Sequence, residues 1–232
     1  MDSSIIDIRN IHIPNNIKHI KIDVGLGEYN INSVNWLKYE KDLFVIMFDP
    51  NGMNTNPVTR AIHKIEQDDT MNESNMVHVI PVALANLEQP TNLTFYKMQK
   101  DTGTSSLFQP IDRNLGPIQT TEIVPAYSLK HFFDIFPWHR FDYIEYIKID
   151  AQGADLDIIK SAGSYLSEKV VFITAEPESN QYMNCGHNTP SNMEEYLTSQ
   201  NFTRIYHPRT RDPTFINNKF VHLKDNIYLY QI

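Results

Sequence analysis

Short apolar runs alternate with segments of helical period along this 232-residue chain, and that alternation does most to narrow its architecture. Ile17 to Asp23, Leu43 to Phe48, Met76 to Val82, Tyr143 to Asp150 and Val170 to Ala175 read as buried strands, rich in Ile, Val and Phe and closed by turn residues. Between the first two, Ser33 is placed to cap a helix carrying Val34 and Leu37. Asn56 caps a second helix, with Pro57 at its first position and Val58, Ile62 and Ile65 on one face. Ser128 caps a third, whose Leu129, Phe132, Phe133 and Phe136 recur at i, i+3, i+4 and i+7 as an apolar stripe. Leu156 to Leu166 supplies another, and a last helix opens at Ser191 with Glu194 completing a capping box. Phe202 to Tyr206 and Asn226 to Tyr230 finish as strands, while Leu93 to Met98 and Ile118 to Val124 read as a hairpin inserted after the third strand. The expectation is an α/β fold in one domain, residues 1–232, with a mainly parallel seven-stranded sheet covered on both faces. Ligands of such sheets bind outside the carboxyl ends of the strands.

Composition removes several classes of partner. A formal charge of -8 repels a phosphate backbone, so long nucleic acid is not expected. Met1 to Asn10 lacks a basic start and a sustained apolar run, and the longest apolar stretch, Leu43 to Phe48, is too short for a bilayer. A soluble cytoplasmic protein without a membrane partner is the expectation. Cys185 is the lone cysteine, so it forms no internal disulfide and cannot alone build a zinc site.

The loop after the first strand reads D-V-G-L-G, from Asp23 through Gly25 and Leu26 to Gly27. Glycines there let the backbone turn sharply and approach a ligand. The Asp23 carboxylate repels a dinucleotide pyrophosphate but attracts the ammonium and sulfonium of S-adenosylmethionine, and Asn30 replaces the third glycine of the dinucleotide fingerprint. The plainer alternative is that Asp23 caps the turn. Asp49, followed by Pro50, ends the second strand 24 residues past Gly25, where a carboxylate can accept hydrogen bonds from a ribose diol; a turn residue is the alternative. Val82 and Ala83 stand where an adenine slot would be lined.

The most informative segment is K-I-D-A-Q-G, Lys148 to Gly153. Lys148 and Asp150 share one face at the end of an apolar strand, which is costly unless they pair or do chemical work. Glu176 ends the next strand and faces the same cleft. Two carboxylates either activate a hydroxyl or hold a divalent ion such as Mg²⁺, and no metal is predicted from the pattern. Asp150, Glu176 and His187 are the candidate bases, His187 against an ordinary surface role. Ser105 and Ser106 either contact the acceptor or cofactor or shape a plain turn. Arg204, His207, Arg209 and Arg211 either solvate a loop or grip a substrate phosphate or carboxylate, which a nucleotide-linked sugar would suit.

Together these segments resemble the FkbM family of S-adenosylmethionine-dependent methyltransferases, on D-V-G at Asp23, F-D-P at Phe48, P-V-A-L at Pro81, G-T-S-S-L at Gly103, K-I-D-A-Q-G at Lys148 and A-E-P at Ala175. The resemblance implies a class I, Rossmann-like methyltransferase fold and O-methylation of sugars, polyketides or similar hydroxyl compounds. Two departures stand out: the second glycine, Gly27, falls closer to the first than is usual, and Gln152 stands where many members carry Glu. A nicotinamide-dependent oxidoreductase, a non-catalytic S-adenosylmethionine-binding protein and RNA cap methylation are the alternatives.

Overall fold

Leu43–Phe48 is hydrophobic at every position and every one of its side chains is buried, the pattern of a strand covered on both faces. A computed structural model describes residues 11–26, 32–51, 72–206 and 212–223. Within them lie β1 (His19–Val24), β2 (Leu43–Phe48), β3 (Met76–Ile80), β7 (Ile144–Ile149), β8 (Val170–Ala175), β9 (Phe202–Ile205) and β10 (Thr214–Asn217), which form one sheet in the order β3-β2-β1-β7-β8-β10-β9. The pairs from β3 to β8 are parallel, and β10 runs antiparallel to both β8 and β9.

The segment between β3 and β7 is more than a hairpin. β5 (Thr91–Met98) and β6 (Ile118–Tyr127) pair antiparallel, and β4 (Ala83–Leu84) adds to β6 in parallel, making a second, three-stranded sheet with its own small core of Ala83, Phe95, Val124 and Ala126. The expected third strand, Met76 to Val82, stops at Ile80 and resumes as β4 beyond Pro81, because the Val82 amide turns back on the Ile80 carbonyl at 2.8 Å.

The helices are α1 (Asn32–Tyr39), α2 (Leu129–Ile135), α3 (Asp155–Lys160), α4 (Tyr165–Lys169) and α5 (Pro190–Ser199). On one face of the main sheet, Phe132 and Phe133 of α2, Ile158 of α3 and Leu197 of α5 pack on Ile22, Ile147 and Ile173. Trp36 and Leu37 of α1 cover the other face against Val45, Met47 and Tyr146. Ser128 caps α2 as expected, its hydroxyl accepting from the His131 amide.

Other expected caps differ. Ser33 lies inside α1 and donates its amide and hydroxyl to Asp23 Oδ2, at 3.3 and 2.5 Å, so the carboxylate at the end of β1 holds the first turn of the helix. Thr189, not Ser191, caps α5: Pro190 occupies the first turn, and the Thr189 side chain accepts from the Asn192 amide. The single helix expected over Leu156 to Leu166 is broken into α3 and α4 around Gly163, whose φ is +59°. β10 escaped the sequence reading, and the expected helix at Asn56 and strand at Asn226 to Tyr230 lie outside the described residues. No described helix is long and apolar enough to cross a membrane.

Candidate functional site

A cleft with about 1030 Å³ of empty volume, partly open to solvent, lies at the carboxyl ends of β1, β2 and β7. Residues 101–107, between β5 and β6, border it, and Glu176 closes it at the end of β8. The strand ends converge because backbone groups bind them together: the Gly25 amide donates to the Phe48 carbonyl at 3.0 Å and the Asp150 amide to the Val24 carbonyl at 2.9 Å. Gly25 has φ +80°, and a Cβ built on it would lie 1.8 Å from the Asp150 carbonyl oxygen. The glycine is therefore required by the close approach of the chain leaving β1 to the chain leaving β7, independently of any ligand.

Most residues singled out in the sequence meet in this cleft. Gly25, Leu26, Asp49, Pro50, Val82 and Ala83 line it. Asp49 is buried, accepting from the Leu26 amide at 3.1 Å and the Asn51 amide at 2.8 Å; burial pushes its carboxyl above the usual range. The Asn51 side chain hydrogen-bonds to it as well, and the carboxylate still borders the cleft. Ser105, Ser106, Gln152, Asp150 and Glu176 line it too. Both serine hydroxyls are engaged in fastening the loop: Ser105 Oγ accepts from the Met98 amide at 3.1 Å, and Ser106 Oγ donates to the Gln152 carbonyl at 2.7 Å. Asp150 Oδ1 accepts from Gln152 Nε2 at 2.6 Å, and Lys148 Nζ lies 3.5 Å from Oδ2. Burial, and then the nearby carboxyls of Asp150 and Asp212, push Glu176 up to about 7.

Two expected residues are elsewhere. Asp23 is outside the cleft lining, in register with Lys148 and bound to Ser33, and burial pushes its carboxyl up to about 6. The alternation of a strand decides this: Val24 turns to the cleft, so its neighbour turns to the opposite face. His187 is also outside the lining, with Nε2 3.0 Å from Asp157 Oδ2 at an ion-pair distance that lacks hydrogen-bond alignment. Gly27, His207, Arg209 and Arg211 lie outside the described residues, and Arg204 pairs with Glu194 at the surface.

The family model for the FkbM methyltransferase domain matches residues 14–204. The chain belongs to the FkbM methyltransferase family. A comparison with curated proteins finds no match. Every described residue lining the cleft lies within the matched range, and the mostly parallel seven-stranded sheet is consistent with a methyltransferase fold.

In this FkbM methyltransferase the described cleft lining carries four carboxyl groups, from Asp49, Asp101, Asp150 and Glu176, and no Lys, Arg or His. Asp101 was missed in the sequence, although the D-T-G-T that it opens is a turn signal: its side chain accepts from the Gly103 amide at 2.9 Å and starts the bordering loop. Tyr182 was missed as well. Its hydroxyl lies 2.9 Å from both Gln152 Oε1 and the Thr104 carbonyl, contacts that join parts of the chain far apart in sequence. Among the described residues, no group of three or more His, Cys, Asp or Glu is arranged to hold a metal ion.

Proposed function

We propose that this methyltransferase uses S-adenosylmethionine to methylate a hydroxyl group of a sugar or related small molecule. The observation that carries the reading is the charge of the cleft, four carboxyls facing it and no cation among the described lining residues. Such a wall favours a ligand bearing a sulfonium and an ammonium and disfavours the pyrophosphate of a nicotinamide dinucleotide. The donor set fits that cofactor: Asp49 for a ribose diol, Val82 and Ala83 for an apolar adenine edge, and the Gly25-Leu26 turn for close backbone approach. Asp23 contributes from behind, by holding α1.

When bound, S-adenosylmethionine supplies an electrophilic methyl group. The cleft's own residues place the acceptor hydroxyl in line and remove its proton. Positioning can supply about 7–11 kcal/mol of the barrier, and a placed base about 10²- to 10⁴-fold in rate. Asp150, with Oδ1 held by Gln152, takes the hydroxyl proton on Oδ2, and Lys148 balances the charge. Glu176, pushed up to about 7, is matched to relaying that proton near neutral pH. Arg209 and Arg211 are the proposed contacts for an acceptor phosphate, as in a nucleotide-linked sugar.

Calorimetric titration tests the cofactor. Wild type should bind S-adenosylmethionine and S-adenosylhomocysteine but not NAD, and Asp49→Ala should weaken both by about tenfold or more, the loss of hydrogen bonds to a charged group. No heat from either ligand at high micromolar concentration would end the reading. With labelled S-adenosylmethionine and a panel of sugar acceptors, Asp150→Asn should keep S-adenosylhomocysteine affinity and lose about 10²-fold or more of turnover. Undiminished turnover in Asp150→Asn removes Asp150 as the base.

A further inference from the structure

Gln152 is held more firmly than a residue at a cleft edge needs to be. It has φ +53°, a left-handed conformation rare outside glycine, and the next residue, Gly153, is also left-handed at φ +94°. Its carbonyl accepts from Ser106 Oγ at 2.7 Å, its Nε2 donates to Asp150 Oδ1 at 2.6 Å, and its Oε1 accepts from the Tyr182 hydroxyl at 2.9 Å. An unfavourable backbone conformation fixed from three directions marks a position whose geometry matters.

Tyr182 is positioned with equal care. The phenol ring is fully buried, and it approaches because Gly153 has no side chain: a Cβ there would lie 3.3 Å from Tyr182 Cδ2 and 3.1 Å from Cys185 Cβ. Its hydroxyl proton is shared between Gln152 Oε1 and the Thr104 carbonyl, both acceptors. With Oε1 turned to Tyr182, the amide nitrogen is turned to Asp150, the only orientation that offers an ionised carboxylate a donor.

We propose that Gln152 and Tyr182 are positioning residues for Asp150: the phenol holds the amide, and the amide orients the carboxylate that receives the acceptor's proton. This rests on Asp150 as the base. A carboxylate at position 152 would instead set a like charge against Asp150 Oδ1, so the neutral amide is itself part of the device. The other groups facing Asp150 are Lys148 on its own strand, Glu176 and Glu178 after β8, Asp155 at the start of α3, Asp212 before β10 and, across the sheet, Asp23. Lys148 is the one cation among them. Removing the Gln152 donor therefore leaves five carboxyl side chains and one ammonium to decide where the proton resides.

The experiment is an NMR titration of the free, full-length protein with ¹³C-labelled Asp and Glu carboxyl carbons, the Asp150 signal assigned with Asp150→Asn. Loss of a donor to the charged form should raise the proton affinity of Asp150 about tenfold in Gln152→Met and about threefold in Tyr182→Phe, with a larger rise for the carboxyl pair created by Gln152→Glu. Tyr182→Phe removes only a hydroxyl and keeps the buried ring, so it decides the matter should either Gln152 variant fail to fold. A purely structural role lowers the melting temperature of these variants and leaves the Asp150 titration unmoved, and that result overturns the proposal. S-adenosylhomocysteine affinity, measured on the same samples, reports separately on the cofactor: failure to bind in wild type removes the methyl-transfer reading whatever the titration shows.

Discussion

An alanine at position 25 has nowhere to put its methyl group, since the Asp150 carbonyl oxygen would lie 1.8 Å from it and the backbone there has φ +80°. The left-handed conformation alone costs a non-glycine residue about 1–2 kcal/mol. Relief of the clash requires β1 and β7 to part, breaking the bond from the Asp150 amide to Val24. Gly25→Ala should therefore lower stability by about 3 kcal/mol or more, read as a shift in the urea midpoint with unchanged slope. A midpoint within experimental error of wild type would show that the strands can separate without penalty. Asp23 shows the same dependence on local geometry. Its place beside the glycine was legible, but its direction was not, because one residue of strand separates a side chain in the cleft from one buried against α1.

At the scale of elements, caps were legible as residue types and misassigned by position. Ser128 was read correctly because the apolar stripe that follows fixes where α2 begins. In T-P-S-N-M-E, both Thr189 and Ser191 satisfy a capping pattern, and Pro190 in the first turn decides for Thr189. Thr189→Ala should cost about 1 kcal/mol, whereas Ser191→Ala, inside the helix, should be nearly neutral. Equal losses in thermal melts of the two variants would contradict the assignment. The strand TFIN of β10 was missed for a related reason. It is only four residues long, all buried, and its pairing with β8 and β9 shows only once those strands are side by side.

Across the described residues of the molecule, more carboxyl groups are raised than lowered. Burial leads in each of the largest cases: Asp23 up to about 6, Asp155 and Glu176 up to about 7, and Glu178 up to about 8. The unfolded chain releases these protons near pH 4, about the ordinary carboxylate value, while the folded chain keeps them, so between pH 4 and 8 the folded state binds more protons and loses stability as pH rises. His19, raised by its hydrogen bond to Glu145, acts in the same direction above its unfolded value. The melting temperature at pH 8 should lie roughly 5 °C or more below that at pH 5, and Asp155→Asn should flatten the dependence. A melting temperature that is constant or higher at pH 8 would show that these groups ionise at no cost to the fold. The sequence by itself determined the alternating α/β plan and the strand-end segments at Gly25, Asp49, Asp150 and Glu176, because periodicity and turn chemistry are local. The tertiary structure alone decided that Asp23 faces α1, that His187 faces Asp157, and that Tyr182 reaches Asp150 through Gln152. Those outcomes depend on strand register and on contacts between distant segments, which exist only once the sheet has assembled.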